Sequence, residues 1–173
     1  SINEGVFPVL ASDPKISQYY QNTLRKKNFY ATCDPYAYSK AAVVVVDINL
    51  DVKKQSSAVN DQKGGYSVDM TSFRKAIESI GNNCEPEVLV LIETTVPPGT
   101  SEKIAKPILE DCLKKRNLPS DKIKVGHSYE RVMPGPEYID SIQNFYRVYA
   151  GTDEKSANAV ETFLRTVIRT DEY

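Results

Sequence analysis

Apolar residues recur at spacings of three and four in four stretches of the chain, the pattern of helices with one buried face. The first stretch follows Asp13-Pro14, a cap and first-turn pair, and carries Ile16, Tyr19, Tyr20 and Leu24. The second begins at Asp69 and carries Met70, Phe73, Ile77 and Ile80. In the third, Thr100 is placed to cap a helix whose buried stripe is Ile104, Ile108, Leu109, Cys112 and Leu113, and Pro107 is expected to kink it. Asp153 opens the fourth, which buries Ala157, Val160, Phe163, Leu164 and Val167. A second Asp-Pro pair, Asp34-Pro35, predicts a shorter helix.

Between the helices the pattern changes to short, β-branched, nearly continuous apolar runs. Val43 to Ile48 and Val88 to Ile92 have the character of strands covered on both faces. Ile123 to Val125 and Arg147 to Ala150 are weaker candidates, and Phe29 to Thr32 can add a short one. Helices alternating with strands in this way predict an α/β domain with a mostly parallel sheet. The stretch from Asn49 to Val68, with Gln55-Ser56-Ser57 and Lys63-Gly64-Gly65, is polar and long for a connector; it reads equally as a functional loop or a surface insertion.

Composition narrows the classes. The 173 residues suffice for one domain with a core, and 40% hydrophobic with 26% charged residues is ordinary for a globular chain. Net charge is −1 and pI about 5.9, with no dominant basic face, so nucleic acid is not an expected partner. The basic runs Arg25-Lys26-Lys27 and Lys114-Lys115-Arg116 fall at predicted helix ends, where cations complement the helix dipole. No apolar stretch approaches the roughly 18–20 residues that span a bilayer, and no leader-like stretch opens the chain, so no membrane partner is expected. Cys33, Cys84 and Cys112 form no paired motif; neither a metal site nor a disulfide framework is expected, and a reducing cytoplasm fits best. Cys33 is read as a small packing residue.

In open parallel sheets ligands bind at the carboxyl ends of the strands. That rule selects Asp47 to Asp51, Glu93 to Thr100, and His127 to Gly135. In the second segment two threonines precede Pro97-Pro98-Gly99, where Pro98 and Gly99 suit the centre of a type II turn ahead of a helix N-terminus. Such a place favours polar or anionic ligands, though a rigid strand-to-helix connection reads equally well. In the third, Glu130 can act as a general base or form a surface pair with Arg131, and the single histidine, His127, reads as structural. Ser128 beside His127 lacks the elbow motif of a hydrolase. Gly64-Gly65 comes after no strand and is not a dinucleotide fingerprint.

Two long motifs carry a resemblance. Thr94-Thr95-Val96-Pro97-Pro98-Gly99-Thr100 is similar to the Ser-Thr-Val-Pro-Pro-Gly-Thr signature of the UDP-glucose/GDP-mannose dehydrogenase family. Tyr129-Glu130-Arg131-Val132-Met133-Pro134-Gly135 resembles that family's Pro-Glu-Arg-x-x-Pro-Gly segment, in the form typical of the N-acetylmannosamine branch. Arg147 to Gly151, Ile2 to Pro8 and Ala31 to Asp34 resemble shorter family segments, in order along nearly the whole chain.

The resemblance implies an incomplete Rossmann-type doubly wound fold, with residues 1–173 as the later part of one NAD-binding domain. It places the first βαβ unit, with its glycine-rich loop, ahead of Ile2, and the catalytic cysteine with the central and C-terminal domains beyond Tyr173. By itself such a piece is expected to be inactive, and its uncovered strand edges to invite association. The implied activity is oxidation of the 6-hydroxyl of a UDP-sugar to a carboxylate with two NAD+ in succession, in a cytoplasmic homodimer or larger assembly serving polysaccharide synthesis. Thr95 and Glu130 correspond to catalytic positions; Thr32, Ile48, Thr94, Thr95 and Glu130 to cofactor contacts; and Arg131, Val132, Met133, Pro134 and Gly135 to substrate contacts. The loop Ile48-Asn49-Leu50-Asp51 departs from the family's Val-Pro-Thr-Pro, and Pro134 replaces a second glutamate found in some members. A non-catalytic α/β binding or assembly module built on the same fold is the competing reading. A hydroxyacid-type dehydrogenase is disfavoured by the two long motifs.

Overall fold

A computed structural model describes residues 1–8, 10–54, 66–129 and 131–170. Gln55-Ser56-Ser57, Lys63-Gly64-Gly65 and Glu130 lie outside the described residues. In chain order the helices are α1 (Pro14–Lys26), α2 (Thr71–Asn83), α3 (Lys106–Lys115), α4 (Tyr138–Asn144) and α5 (Glu154–Val167). The strands are β1 (Val43–Val46), β2 (Val52–Lys54), β3 (Tyr66–Val68), β4 (Leu89–Ile92), β5 (Lys124–His127) and β6 (Ala150–Gly151). The chain divides into two compact units. One comprises Pro35–Tyr129 and Tyr149–Val160; the other comprises Ser1–Asp34, Glu130–Val148 and Glu161–Tyr173.

The first of these is the sheet unit. Its strands run in the order β1-β4-β5-β6, with β1, β4 and β5 parallel and β6 antiparallel to β5. All four residues of β4 are buried, as expected for a central strand with both faces covered. Strand β1 departs from the expectation. It is an edge strand among the described residues, and Val45 is 44% exposed between buried Val44 and Val46. A half-covered strand alternates, and a run of four valines conceals the alternation from any reading of the sequence. Helix α2 buries Phe73, Ile77 and Ile80, and α3 buries Leu109, Cys112 and Leu113; all but Cys112 join Val90 and Ile92 of β4 in the apolar core. Arg116 ties the helices together by donating to the carbonyls of Gly81 and Cys84 at 2.9 and 2.7 Å, at the end of α2 where carbonyls lack helical partners.

Three expectations change here. Thr100 does not cap its helix; its hydroxyl donates to the Pro97 carbonyl at 2.7 Å. Pro107 does not lie inside a continuous α-helix either. It sits in the first turn of α3, preceded by a π-helical turn, Ser101–Ala105, in which the Lys106 N–H reaches the Ser101 carbonyl. Proline has no N–H to offer the carbonyl four residues back and its ring crowds that carbonyl, so the turn widens instead. The long polar stretch also carries more order than its composition suggests, since its ends pair as the antiparallel strands β2 and β3.

Gly126 on β5 is a place of close approach. A Cβ there would lie 2.2 Å from Val160 Cγ2. Val160 lies in the stripe Ser156, Val160 with which α5 begins. Asp153 caps that helix as expected, its carboxylate accepting the Ser156 N–H at 2.8 Å. The Ser156 hydroxyl in turn accepts the Val125 N–H at 3.1 Å. The strand predicted at Arg147 to Ala150 is reduced to Ala150–Gly151.

The other unit contains α1, α4 and the end of α5. Asp13 caps α1 by accepting the Lys15 N–H at 2.8 Å. The strand anticipated at Phe29 to Thr32 does not form. The Asn3 side chain takes the place of a partner strand: it accepts the Ala31 N–H and donates to the Ala31 carbonyl, both at 2.7 Å. Rings of Phe7 and Phe29 pack on Tyr20 at centroid distances of 5.1 and 6.3 Å, and the Tyr20 hydroxyl donates to the Ile2 carbonyl.

Candidate functional site

At the carboxyl edge of the parallel strands β1 and β4, one side chain organises the backbone. The Thr94 hydroxyl accepts the Ile48 N–H at 2.6 Å and donates to the Val46 carbonyl at 3.3 Å. The Val46 carbonyl also receives the Glu93 and Thr94 amides. Thr94 is buried, and its hydroxyl holds the two strand ends together. Thr95 comes directly after it and is exposed. One hydroxyl therefore fixes the edge and the next is presented to solvent.

The chain then turns. The Thr100 N–H bonds the Pro97 carbonyl at 3.1 Å, and Gly99 has φ +83°, a left-handed value that glycine adopts without steric cost. This is the type II turn foreseen for Pro98 and Gly99. Beside it lies a cavity of about 540 Å³, lined by Pro97, Gly99, Thr100, Glu102, His127 and Thr152 among others. Two buried polar atoms lack hydrogen-bond partners among the described residues, Nδ1 of His127, which lines the cavity, and Ser128 Oγ. Because Ser128 Oγ has no partner, His127 does not activate it, which removes the serine-hydrolase geometry. The Lys106 ammonium pairs with Asp153 at 2.9 Å. That hydrogen bond holds the Asp153 carboxyl at about 2, well below the usual carboxylate range.

The structure thus brings Ile48, Thr94 and Thr95 together in the sheet unit. Thr32 and Arg131 to Gly135 belong to the other unit. Thr32 is exposed, and its hydroxyl accepts the Asp34 N–H at 3.0 Å. Arg131 lies over the Tyr146 ring, 5.3 Å from its centroid. Val132 is half-buried, and Met133 is 63% exposed. The Met133 N–H donates to Ser141 Oγ at 3.0 Å. Pro134 and Gly135 line a groove of about 400 Å³ with Phe7, Leu10, Ile16 and Tyr138. Glu130 lies outside the described residues. Cys33 is exposed rather than packed, whereas burial pushes the thiols of Cys84 and Cys112 up. Among the described residues, no three His, Cys, Asp or Glu side chains are grouped to hold a metal, and no helix is long and apolar enough to cross a membrane.

Reading the sequence missed the anchors of both regions. The pairing of Thr94 with Ile48 spans 46 residues, and the Ser141 contact to Met133 depends on how a short helix is seated. Neither has a local signal beyond the residue type.

Residues 1–168 match the family model described as UDP-glucose/GDP-mannose dehydrogenase family, NAD binding domain. The chain is 38% identical over 105 residues to the UDP-N-acetyl-D-mannosamine dehydrogenase of Methanocaldococcus jannaschii, covering 61% of this chain and 22% of that protein. It is 34% identical, also over 105 residues, to the Pyrococcus horikoshii enzyme of that name, covering 61% and 24%. Among solved structures, it superposes on the NDP-N-acetyl-D-galactosaminuronic acid dehydrogenase of Methanosarcina mazei Go1 with a TM-score of 0.77 at 24% identity, covering 97% of this chain and 33% of that one. The corresponding values for the Pyrococcus horikoshii UDP-D-ManNAc dehydrogenase are 0.76, 26%, 97% and 36%. The chain therefore spans about a quarter of the length of those curated relatives and about a third of those structures. The sheet of parallel strands, the two sequence motifs and the match over 168 residues agree: this chain belongs to the UDP-glucose/GDP-mannose dehydrogenase family, within its NAD-binding domain.

Proposed function

We propose that the chain is the later part of the NAD-binding domain of an NAD-dependent UDP-sugar 6-dehydrogenase. In this reading the enzyme oxidises the sugar's primary alcohol to a carboxylate. Two hydrides leave the carbon in succession, and one water supplies the second carboxylate oxygen. NAD+ supplies the hydride acceptor in each oxidation.

The chain's own residues divide the work. Thr94 holds the ends of β1 and β4 in register, so that Thr95 and the Ile48 backbone face the nicotinamide with little rearrangement. Thr95, exposed at the edge, orients the water with its hydroxyl. Glu130 accepts that water's proton as it adds to the acyl carbon of a thioester formed on the catalytic cysteine expected beyond Tyr173, and the cysteine leaves as thiolate when the carbon–sulfur bond breaks. The backbone of Arg131 to Gly135 lies along the UDP-sugar, and Thr32 makes a further cofactor contact. The exposed Thr95, one residue past the buried Thr94 that fixes the edge, is the observation that carries this reading. An N-acetylated UDP-hexosamine is the preferred substrate, because the two curated relatives are UDP-N-acetyl-D-mannosamine dehydrogenases.

The test is NADH formation by the full-length enzyme with a panel of UDP-sugars. One UDP-N-acetylhexosamine should be oxidised with two NADH per sugar. Thr95→Ala and Glu130→Gln should each lower kcat by about 10²-fold. If the wild type forms no NADH from any sugar but still binds NAD+, the dehydrogenase reading is wrong and a non-catalytic binding module replaces it.

A further inference from the structure

A buried carboxylate stands in the unit that carries Arg131 to Gly135. Asp13 is 1% exposed. One of its oxygens caps α1 through the Lys15 N–H. The other accepts the Ile139 N–H at 2.9 Å, across 126 residues of sequence. That bond from Ile139 is the main cause holding the Asp13 carboxyl below its usual range. Burying a charge costs free energy unless it is fully hydrogen-bonded, and here two backbone amides meet it. A capping residue needs only the first of them.

The second amide belongs to the first turn of α4. Two residues on, Ser141 is 5% exposed. Its hydroxyl donates to the Tyr138 carbonyl at 2.7 Å and accepts the Met133 N–H. Backbone order thus passes from α1 through Asp13 to α4, and from α4 through Ser141 to the middle of the Arg131–Gly135 segment. That segment has no helix or strand of its own, and the side chains of Arg131, Met133 and Pro134 are exposed. Apolar burial does little to fix it, and a segment with few buried apolar contacts opens readily unless polar contacts hold it. The Lys15–Asp140 ion pair runs parallel to the Asp13 bond, but both its side chains are more than a third exposed and solvent screens it.

We propose that Asp13 and Ser141 are positioning residues that preset the Arg131–Gly135 backbone for the UDP-sugar; this rests on the function proposed above. They act on the substrate only through that backbone. Without them the segment must be ordered at the moment of binding, and the ordering cost falls on substrate affinity. The cost falls on NAD+ far less, because its proposed contacts with Ile48, Thr94 and Thr95 at the β1–β4 edge do not involve this clamp.

The test uses two variants of the full-length enzyme. Asp13→Ser keeps a capping oxygen for Lys15 but is too short to reach Ile139. Ser141→Ala removes the acceptor for Met133. In each, KM for the UDP-sugar should rise by about tenfold or more, the scale expected when binding geometry loosens. The kcat and the KM for NAD+ should stay within about twofold of wild type, which a misfolded enzyme would not show. Hydrogen exchange without substrate should quicken at the Met133 amide in both variants and at the Ile139 amide in Asp13→Ser. Faster exchange with an unchanged sugar KM leaves the clamp structural and overturns the proposal, as does unchanged exchange. A wild type that oxidises no UDP-sugar overturns the function itself, a result that the variants cannot mimic. Should one variant fail to fold, the other decides.

Discussion

The two compact units are built from different materials. The sheet unit buries a continuous apolar core that includes Phe73, Ile77, Leu109, Leu113 and Val90 and Ile92 of β4. In the other unit, the buried residues among those described are apolar Tyr20, Leu164 and Ile168 and polar Asp13, Ser141 and Arg147. Its order comes largely from side chains bonded to backbone, Asn3 to Ala31, Asp13 to Ile139 and Ser141 to Met133. Meanwhile Val6, Leu10, Tyr30, Met133 and Val148 stay exposed there. Apolar burial is non-directional and tolerates drift, whereas a hydrogen bond to a backbone amide fixes position but contributes little net stability. The result is a division of labour: one unit for stability and one for placement.

The division is most sharply tested in the core. Phe73 is fully buried, and Phe73→Ala should destabilise the sheet unit by about 3–5 kcal/mol, seen as a lower urea midpoint. A loss below about 1 kcal/mol would mean that the core is not what holds this unit. The next largest effect is at the close approach of β5 and α5. Gly126→Ala forces a methyl against Val160 and should cost about 1–3 kcal/mol. Adding Val160→Ala should recover part of that cost, so that the double variant is more stable than the sum of the two single changes. Strict additivity would place the strain elsewhere; the Ala150 carbonyl, 3.1 Å from the new Cβ, is the alternative.

The same contrast explains what could be read from the sequence. Helices α1, α2 and α5 and strands β1 and β4 were legible because their signals are local. These are apolar periodicity, an aspartate cap, or a β-branched run. The Pro98-Gly99 turn was legible for the same reason. The features that escaped were decided by distant partners. Whether Phe29 to Thr32 pairs as a strand depends on Asn3, 28 residues from Ala31. The first turn of the Thr100 helix was settled by the turn before it, where the Thr100 hydroxyl donates to the Pro97 carbonyl, and by Pro107, which widens the turn ahead of α3. In the candidate site, Ile48, Thr94 and Thr95 converge as the strand-end rule demands. The role of Thr94 as a staple was not legible, because a threonine that binds a ligand and one that binds a neighbouring strand look alike in sequence.

The placement unit should respond weakly in stability and strongly in local order. Asn3→Ala removes both bonds to Ala31 at an exposed site and should cost about 1 kcal/mol or less. The Ala31 amide should nonetheless lose its protection from hydrogen exchange, while amides of β4 keep theirs. If β4 amides exchange faster to the same degree, the two units do not open separately and the division fails.

The smallest effect separates two aspartates depressed by different causes. Asp153 is held at about 2 chiefly by the Lys106 ammonium, whereas Asp13 is lowered chiefly by the Ile139 amide. A carboxyl depressed in the folded state stabilises above its unfolded value near 4. That stability is lost as pH falls toward the folded value, so for Asp153 the window runs from about 4 down to about 2. Its side chain is 43% exposed, so solvent screening leaves a contribution below about 1 kcal/mol. Added salt screens a cation but hardly touches a buried amide dipole. Carboxyl NMR titrations at low and high salt should therefore show Asp153 moving back toward 3.8 while Asp13 stays depressed, and Lys106→Met should move Asp153 alone. Equal salt shifts at both would mean that Asp13 too is held by charge, with Lys15 as the source, and that the placement unit rests on ion pairs rather than on backbone hydrogen bonds.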